Sequence, residues 1–205
     1  MKRLLMPAAG FSALVLPVLS LMFTADESAT GASVPAPAPI EEAAPAPAPA
    51  VPAIPAFSLE AVEDDVLWLA RCIYSETKRA DEQELVAWVV RNRVETKYRG
   101  KSRYQDVVLD PYQFSAFNKD SHKRRFYSGL TPTSRSRGWT TAMEIAHEVY
   151  HAPAETRPFG KKTRHFYSER SMKNQKAPYW AARKTPVALD RPIDPDRFRF
   201  YDSVY

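Results

Sequence analysis

A stretch rich in alanine and proline, residues 34–57, most constrains what this chain can fold into. Eight of the 18 prolines fall in it, and its only charges are Glu41 and Glu42. Proline lacks a backbone donor and the segment has little to bury, so the composition predicts an extended, semi-rigid tether. The folded part therefore starts near residue 58. It has about 150 residues, which is enough for one well-buried core.

The first 32 residues have the pattern of an export signal. Lys2 and Arg3 precede an uncharged run, whose most apolar part, Phe11–Phe23, has the length of a signal-peptide core. The run is also just long enough to span a bilayer, so an uncleaved membrane anchor is the alternative to a cleaved signal peptide. No lipobox cysteine follows it. The sequence thus predicts three parts: a signal peptide or anchor at 1–32, a tether at 33–57 and a domain at 58–205. We expect the domain to be exported, either periplasmic, attached to the envelope or secreted.

The predicted domain is basic. Residues 58–205 contain 27 Lys and Arg and 20 Asp and Glu, a net charge of +7 with histidine neutral. This balance favours an anionic polymer such as cell-wall material, and no motif indicates nucleic acid. Cys72 is the only cysteine, so the domain has no internal disulfide and must be stable through packing. We expect a monomer.

Three helices are predicted by apolar residues that recur at steps of three and four. They cover residues 59–75, residues 81–97, and a stretch that opens at Ser136 or Gly138 and ends before Pro153. Ser58 is the predicted N-cap of the first, and Asp81 with Glu84 forms the predicted capping box of the second. Asn92, on a mostly apolar helix face, either anchors a neighbouring loop by hydrogen bonds or contacts a ligand.

The rest of the domain predicts shorter elements. Residues 104–109 form a short helix or turn, and residues 118–137 a long polar loop. Alternation in Thr163–Ser168 and in Arg197–Tyr201 predicts two strands that pair with each other. The fold class is therefore α+β, mainly helical with a small antiparallel sheet late in the chain.

Glu76 is the main candidate for chemistry. It follows the buried residue Ile73 by three positions, so it lies on or near the apolar stripe at the end of the first helix. A carboxyl group that is partly desolvated there has a raised pKa and can donate a proton near neutral pH. The alternative is a solvated glutamate, or one paired with Lys78 or Arg79.

The loop from Pro111 to Asn118 is a second candidate. It interleaves aromatic rings with Gln113 and Ser115, a composition that suits stacking on sugar faces and hydrogen bonding to hydroxyl and acetamide groups. The alternative is a loop whose aromatic side chains fill the core.

The sequence His147-Glu148-Val149-Tyr150-His151 reads H-E-x-x-H on a predicted helix, which is the pattern of a zinc peptidase. Zinc requires a third ligand, and the extended pattern fails because Ala154 and Arg157 stand where it needs glycine and histidine. His165 or Glu169 could serve in principle. We interpret the motif as a chance match and predict no metal and no cofactor.

Five short segments, in order, resemble the cell wall hydrolases of the spore-cortex-lytic SleB type. They are Leu69–Glu76, which resembles the family's helix ending in its catalytic glutamate, Val86–Val94, Pro111–Ser115 with its Gln-Phe-Ser sequence, Thr163–Tyr167 and Pro178–Ala181. The resemblance implies a lysozyme-like fold and cleavage of the MurNAc–GlcNAc bond of peptidoglycan by lytic transglycosylation. The chain departs from the family after Glu76, where Thr77–Ala80 replaces Ala-Arg-Gly-Glu. The second acid of that pattern is missing, and Asp81 or Glu82 would have to replace it.

The resemblance makes Glu76 the catalytic acid, with peptidoglycan glycan strands as the partner. The residues expected to bind the sugar or pack on it are Tyr74, Gln113, Phe114, Ser115, Asn118, His165, Tyr167 and Trp180. One carboxyl that first donates and then accepts a proton would suffice for a transglycosylase. Two alternatives stay open: a zinc metallopeptidase through His147, Glu148 and His151, and a peptidoglycan-binding module without activity.

Overall fold

The computed structural model describes residues 53–204. The predicted leader and most of the tether lie outside this range, so the boundaries at residues 32 and 57 stay predictions. Within the range, no helix has both the length and the apolarity that a membrane span requires.

Five α-helices form in the described residues. They are α1 (Asp64–Glu76), α2 (Ala80–Glu95), α3 (Tyr104–Val108), α4 (Arg124–Ser128) and α5 (Trp139–His151). Helices α1, α2 and α5 pack against one another, and Trp88 and Trp139 are the largest side chains buried between them. Short 3-10 turns lie at Tyr98–Gly100, Ser115–Phe117, Ala154–Thr156, Glu169–Ser171 and Lys173–Gln175. The core is therefore a three-helix packing, as the apolar periodicity predicted.

The first helix begins later than predicted. Ser58 does not cap it, because residues 58–61 form a turn in which the Glu60 amide donates to Ser58 Oγ over 3.3 Å. Glu63 is the residue in the N-cap position, and Asp64 and Asp65 fill the first turn, where the helix dipole favours negative charge. The start of α1 is thus set by charge rather than by a side-chain cap.

The predicted capping box of the second helix was wrong. Helix α2 begins one residue before Asp81, and Arg79 stands at the N-cap position without a side-chain cap bond. Glu84, the expected box partner, instead binds Arg191, with 2.5 Å between Oε2 and Nη1. Only Thr77, Lys78 and Arg79 connect the two helices.

The third long helix, α5, starts and stops where the sequence indicated. Gly138 precedes it with φ of 76°, a left-handed conformation that favours glycine. The helix ends at His151, ahead of Pro153. Its buried face comprises Trp139, Ala142, Met143, Ala146, His147 and Val149.

Two antiparallel strands complete the domain and confirm the α+β class. Strand β1 (Thr163–Tyr167) pairs with β2 (Arg199–Asp202), with a bulge between Thr163 and His165. The buried Asn92 amide on α2 donates to the Gly160 and Thr163 carbonyls over 3.2 and 2.8 Å. Of the two roles that the sequence left open for Asn92, the hydrogen bonds show the anchor. It fixes the start of β1 to α2, close to the end of α1.

Candidate active site

Glu76 is the last residue of α1 and lines a cleft of about 420 Å³. The helix stops there because Thr77 is fully extended, while the Thr77 amide still donates to the Ile73 carbonyl. The other walls come from α2, from the loop at 112–115, from the end of β1 with the segment that follows, and from the residues just before β2. The cleft therefore depends on parts of the chain more than 100 residues apart.

The Glu76 carboxyl is a weak acid in this position. Burial raises its pKa from 4.5 to about 7, and this effect outweighs the opposing influence of Arg93, Ser75 and Lys123. The side chain remains partly accessible from the cleft, although protein atoms surround it almost completely. With this pKa the group is protonated in about half of the molecules at neutral pH, and it can donate that proton to a substrate.

Arg93, which follows Asn92 on α2, lines the cleft. Its side chain is buried, with Nε donating to the Arg164 carbonyl over 2.7 Å and the guanidinium 5.0 Å from the Phe114 ring centroid. Burial lowers the pKa of Arg93 to about 10, so the group is charged at neutral pH. Its buried Nη1 has no hydrogen-bond partner among residues 53–204. Arg93 thus supplies positive charge and an unused donor next to Glu76.

Gln113 and Ser115 line the cleft with Glu76, as the sugar-binding prediction requires. Tyr112, between them and Pro111, was missed. Its side chain is 85% exposed and its φ of 63° is unusual for a residue other than glycine. The Tyr112 amide donates to Asn118 Oδ1 over 3.0 Å, which holds this conformation. No sequence pattern indicates a positive φ at a tyrosine.

Three residues predicted to bind the sugar lie elsewhere in the structure. Tyr74 is buried, and its hydroxyl donates to the Arg137 carbonyl over 2.9 Å. Phe114 is buried beside Phe166 and Arg93. Asn118 lines an adjoining cavity that shares Tyr112 with the cleft, and its side chain accepts the Tyr112 amide hydrogen bond. The rings of Tyr74 and Phe114 are therefore not part of the candidate sugar site, because a buried ring cannot present its face to a substrate.

The late aromatic residues form a cluster of their own. Tyr167 lines the cleft and stacks on Tyr201, with ring centroids 5.8 Å apart. Trp180 packs on both rings and on His165, but neither Trp180 nor His165 is among the cleft-lining residues. His165 Nε2 lies 3.0 Å from the Tyr98 hydroxyl, and burial lowers the pKa of this histidine to about 4. Of this group, only Tyr167 can touch a ligand beside Glu76.

Glu82 forms a closed network behind the cleft. Its carboxylate receives Arg197 Nε at 2.5 Å and Nη2 at 2.9 Å, and the Thr77 hydroxyl at 2.5 Å. Gln83 Nε2 donates to the Thr77 carbonyl over 2.8 Å. Asp81 is exposed and pairs with Arg79. Neither of the two acids proposed to replace the family's second glutamate is free to act in the cleft.

The H-E-x-x-H residues lie on α5, away from Glu76. His147 and Glu148 line a different cavity, of about 600 Å³, which shares no lining residue with the cleft. Glu63, at the start of α1, is close to His147 and His151. Glu63 precedes the motif by more than 80 residues, so no local sequence pattern indicates it as a third ligand.

The fold and the cleft describe a small α+β domain with one buried acid in a basic cavity, which is a suitable arrangement for an acid-catalysed enzyme. The model of the Cell Wall Hydrolase family matches residues 77–191, more than half of the chain, and the chain belongs to this family. The match begins one residue after Glu76 and includes Gln113, Ser115 and Tyr167. Comparisons with curated proteins and with solved structures gave no match. The protein is therefore a cell wall hydrolase that acts on peptidoglycan.

Proposed function

We propose that this cell wall hydrolase is a lytic transglycosylase of the SleB type that cleaves the MurNAc–GlcNAc bond with Glu76 alone. The observation that carries the proposal is that Glu76 is the only carboxylate among the described residues lining the cleft. A retaining or inverting glycosidase needs two carboxyl groups across the scissile bond. The nearby acid Glu82 is already bound to Arg197 and Thr77.

The proposed reaction uses the same oxygen atoms twice. Protonated Glu76 donates its proton to the glycosidic oxygen as the bond to C1 breaks, and the sugar acquires oxocarbenium character. The resulting carboxylate then accepts the proton of the muramoyl C6 hydroxyl, whose oxygen bonds to C1. The products are a free GlcNAc hydroxyl and an anhydro ring, and Glu76 is protonated again. The pKa of about 7 suits a group that must both give and take a proton.

The charge of the cleft supports a peptidoglycan substrate. Arg93, Arg170 and Arg197 line it with Glu76, and of these Arg170 is paired with Asp194 and Arg197 with Glu82. The lactyl and peptide carboxylates of peptidoglycan are anionic, so this basic lining favours binding of the strand. Gln113 and Ser115 offer hydrogen bonds to the sugar, and Tyr112 and Tyr167 offer apolar surface. We further propose that the leader places this domain in the envelope, with the tether giving it reach. Cell fractionation with an antibody to the domain tests that placement.

The deciding experiment is digestion of purified peptidoglycan by the full chain, with muropeptides read by mass spectrometry. We expect anhydro-muramyl ends, one water lighter than hydrolytic ends, from the unmodified protein and from the control Glu148→Gln. Glu76→Gln should yield none. Reducing ends alone would show hydrolysis and contradict the transglycosylase, while retention on peptidoglycan without products would indicate a binding module. Peptide cleavage that stops with chelator would instead indicate a zinc peptidase.

A further inference from the structure

A second group of ionisable side chains lies apart from the cleft, where α1 begins and α5 ends. Glu63 stands at the N-cap position of α1, and His147 and His151 lie one turn apart on α5. One potential ligand atom of each lies within 4.8 Å of those of the other two. Two imidazoles and a carboxylate are a typical protein ligand set for zinc, with the fourth position open to water.

The spacing of two of these atoms is that of ligands to one metal ion. His151 Nε2 is 3.2 Å from Glu63 Oε1. The nitrogen is buried, and it makes no hydrogen bond of acceptable geometry within residues 53–204. Two atoms that bind a tetrahedral zinc ion, each about 2.0–2.1 Å from it, lie roughly 3.3 Å apart. A metal ion between the two atoms could bind both of them.

A backbone carbonyl holds the His147 ring. Its Nε2 lies 2.8 Å from the Pro55 carbonyl oxygen, which can only accept a hydrogen bond, so Nε2 carries the proton. The lone pair is then on Nδ1. A backbone carbonyl that fixes the tautomer and the ring in this way is a recurring feature of metal-bound histidine. The ring also packs 4.4 Å from that of His151 and 5.5 Å from that of Phe57.

We propose that Glu63, His147 and His151 bind one zinc-class divalent cation that joins the start of α1 and the segment at Pro55 to the end of α5. The role is structural. The ion would hold together segments that are distant in sequence, while Glu148, the residue that would act as base in a peptidase, is exposed to solvent. Glu63 is 46% exposed, so the open side of the site faces solvent and an ion can enter. Imidazole nitrogens favour zinc, copper or nickel over magnesium or calcium.

Titration of the chelator-treated full chain with zinc chloride tests the proposal by calorimetry and by thermal unfolding. We expect one zinc ion per chain and a rise in Tm of several degrees at a zinc concentration about 100 times Kd. Magnesium chloride should give neither. Glu63→Gln should weaken zinc binding at least about tenfold, and His151→Ala should abolish the Tm shift.

Two controls separate loss of a ligand from loss of the fold. His122→Ala removes an exposed histidine outside the cluster, and Glu148→Gln changes the same helix next to His147. Both should bind zinc as the unmodified protein does, and His151→Ala should retain cleavage of peptidoglycan. Equal zinc affinity in His151→Ala and the unmodified chain would overturn the site. Zinc-dependent peptide cleavage that is lost in Glu148→Gln would overturn the structural role.

Discussion

Glu76 and Glu82 are two enclosed acids six residues apart with opposite surroundings. Glu82 is 2% exposed, and Arg197 and Thr77 meet both of its oxygens. Glu76 has no such partner, and burial raises its pKa to about 7. Arginine and threonine side chains bind both oxygens of Glu82, whereas the burial of Glu76 outweighs the opposing charges of Arg93 and Lys123. The comparison shows that partners, not burial alone, separate a structural carboxylate from a reactive one.

The largest effect should come from replacing Glu76. Glu76→Gln keeps the shape of the side chain but cannot transfer a proton, so we expect a loss of about 10²–10⁴-fold in the rate of anhydro-product release. Release of muropeptides over time measures it. Glu148→Gln, an exposed glutamate on another helix, is the control and should retain full activity. If Glu76→Gln retains activity, another group is the acid.

Replacing Glu82 should instead lower the stability of the protein. Glu82→Gln leaves Arg197 without its counter-ion, and we expect a loss of about 3 kcal/mol in the free energy of unfolding, with Arg197 partly solvated. Urea denaturation measures it. In a double-mutant cycle with Arg197→Gln, the two losses should not add, because both variants break the same pair. Additive losses would show that the pair is not coupled.

The pH dependence of stability tests the surroundings of Glu76. The pKa of Glu76 is raised in the folded state, so its proton stabilises the fold fully below about pH 4.5, and this contribution is lost as the pH rises through about 7. Glu76→Gln should therefore be more stable than the unmodified chain at about pH 8, by up to about 3 kcal/mol, with a much smaller difference at low pH. The comparison cancels other titrating groups such as His165. A difference that does not change with pH would contradict the raised pKa.

The rim of the cleft should give the smallest effect. Tyr112→Ala removes an exposed ring that lines the cleft, and we expect a rise in KM of about fivefold, with the free energy of unfolding within about 0.5 kcal/mol of the original. Tyr179→Ala is the matched control, because Tyr179 is 92% exposed and is not a cleft residue. Equal KM values in the two variants would exclude Tyr112 from substrate binding.

The fold was more predictable than the site. Apolar spacing located the three long helices, and alternation located the two strands, because both patterns follow directly from which face is buried. The helix starts were less accurate: Ser58 and Asp81 have the chemistry of caps, but the chain turns elsewhere. Cap signals are weak compared with the packing that fixes where a helix begins.

Four residues named from the sequence, Glu76, Gln113, Ser115 and Tyr167, line the cleft. Glu76 follows from its place on the apolar stripe of one helix. Tyr74 and Phe114 were expected to contact the sugar. Aromatic residues in such segments can either stack on a sugar or fill the core, and the sequence does not say which rings are buried. Arg197 and Glu63 were missed because each meets its partner across more than 80 residues. Such encounters depend on the whole fold.

The pairing of β2 with β1 has a consequence for the order in which activity can arise during synthesis. Arg197 and Phe198, just before β2, form part of the cleft wall, and Arg197 also holds Glu82. Glu76 is made more than 100 residues earlier. A ribosome-bound chain that has not yet released residues 197–202 therefore contains Glu76 but lacks part of the cleft that surrounds it. We therefore expect the domain to become active only after β2 has been synthesised.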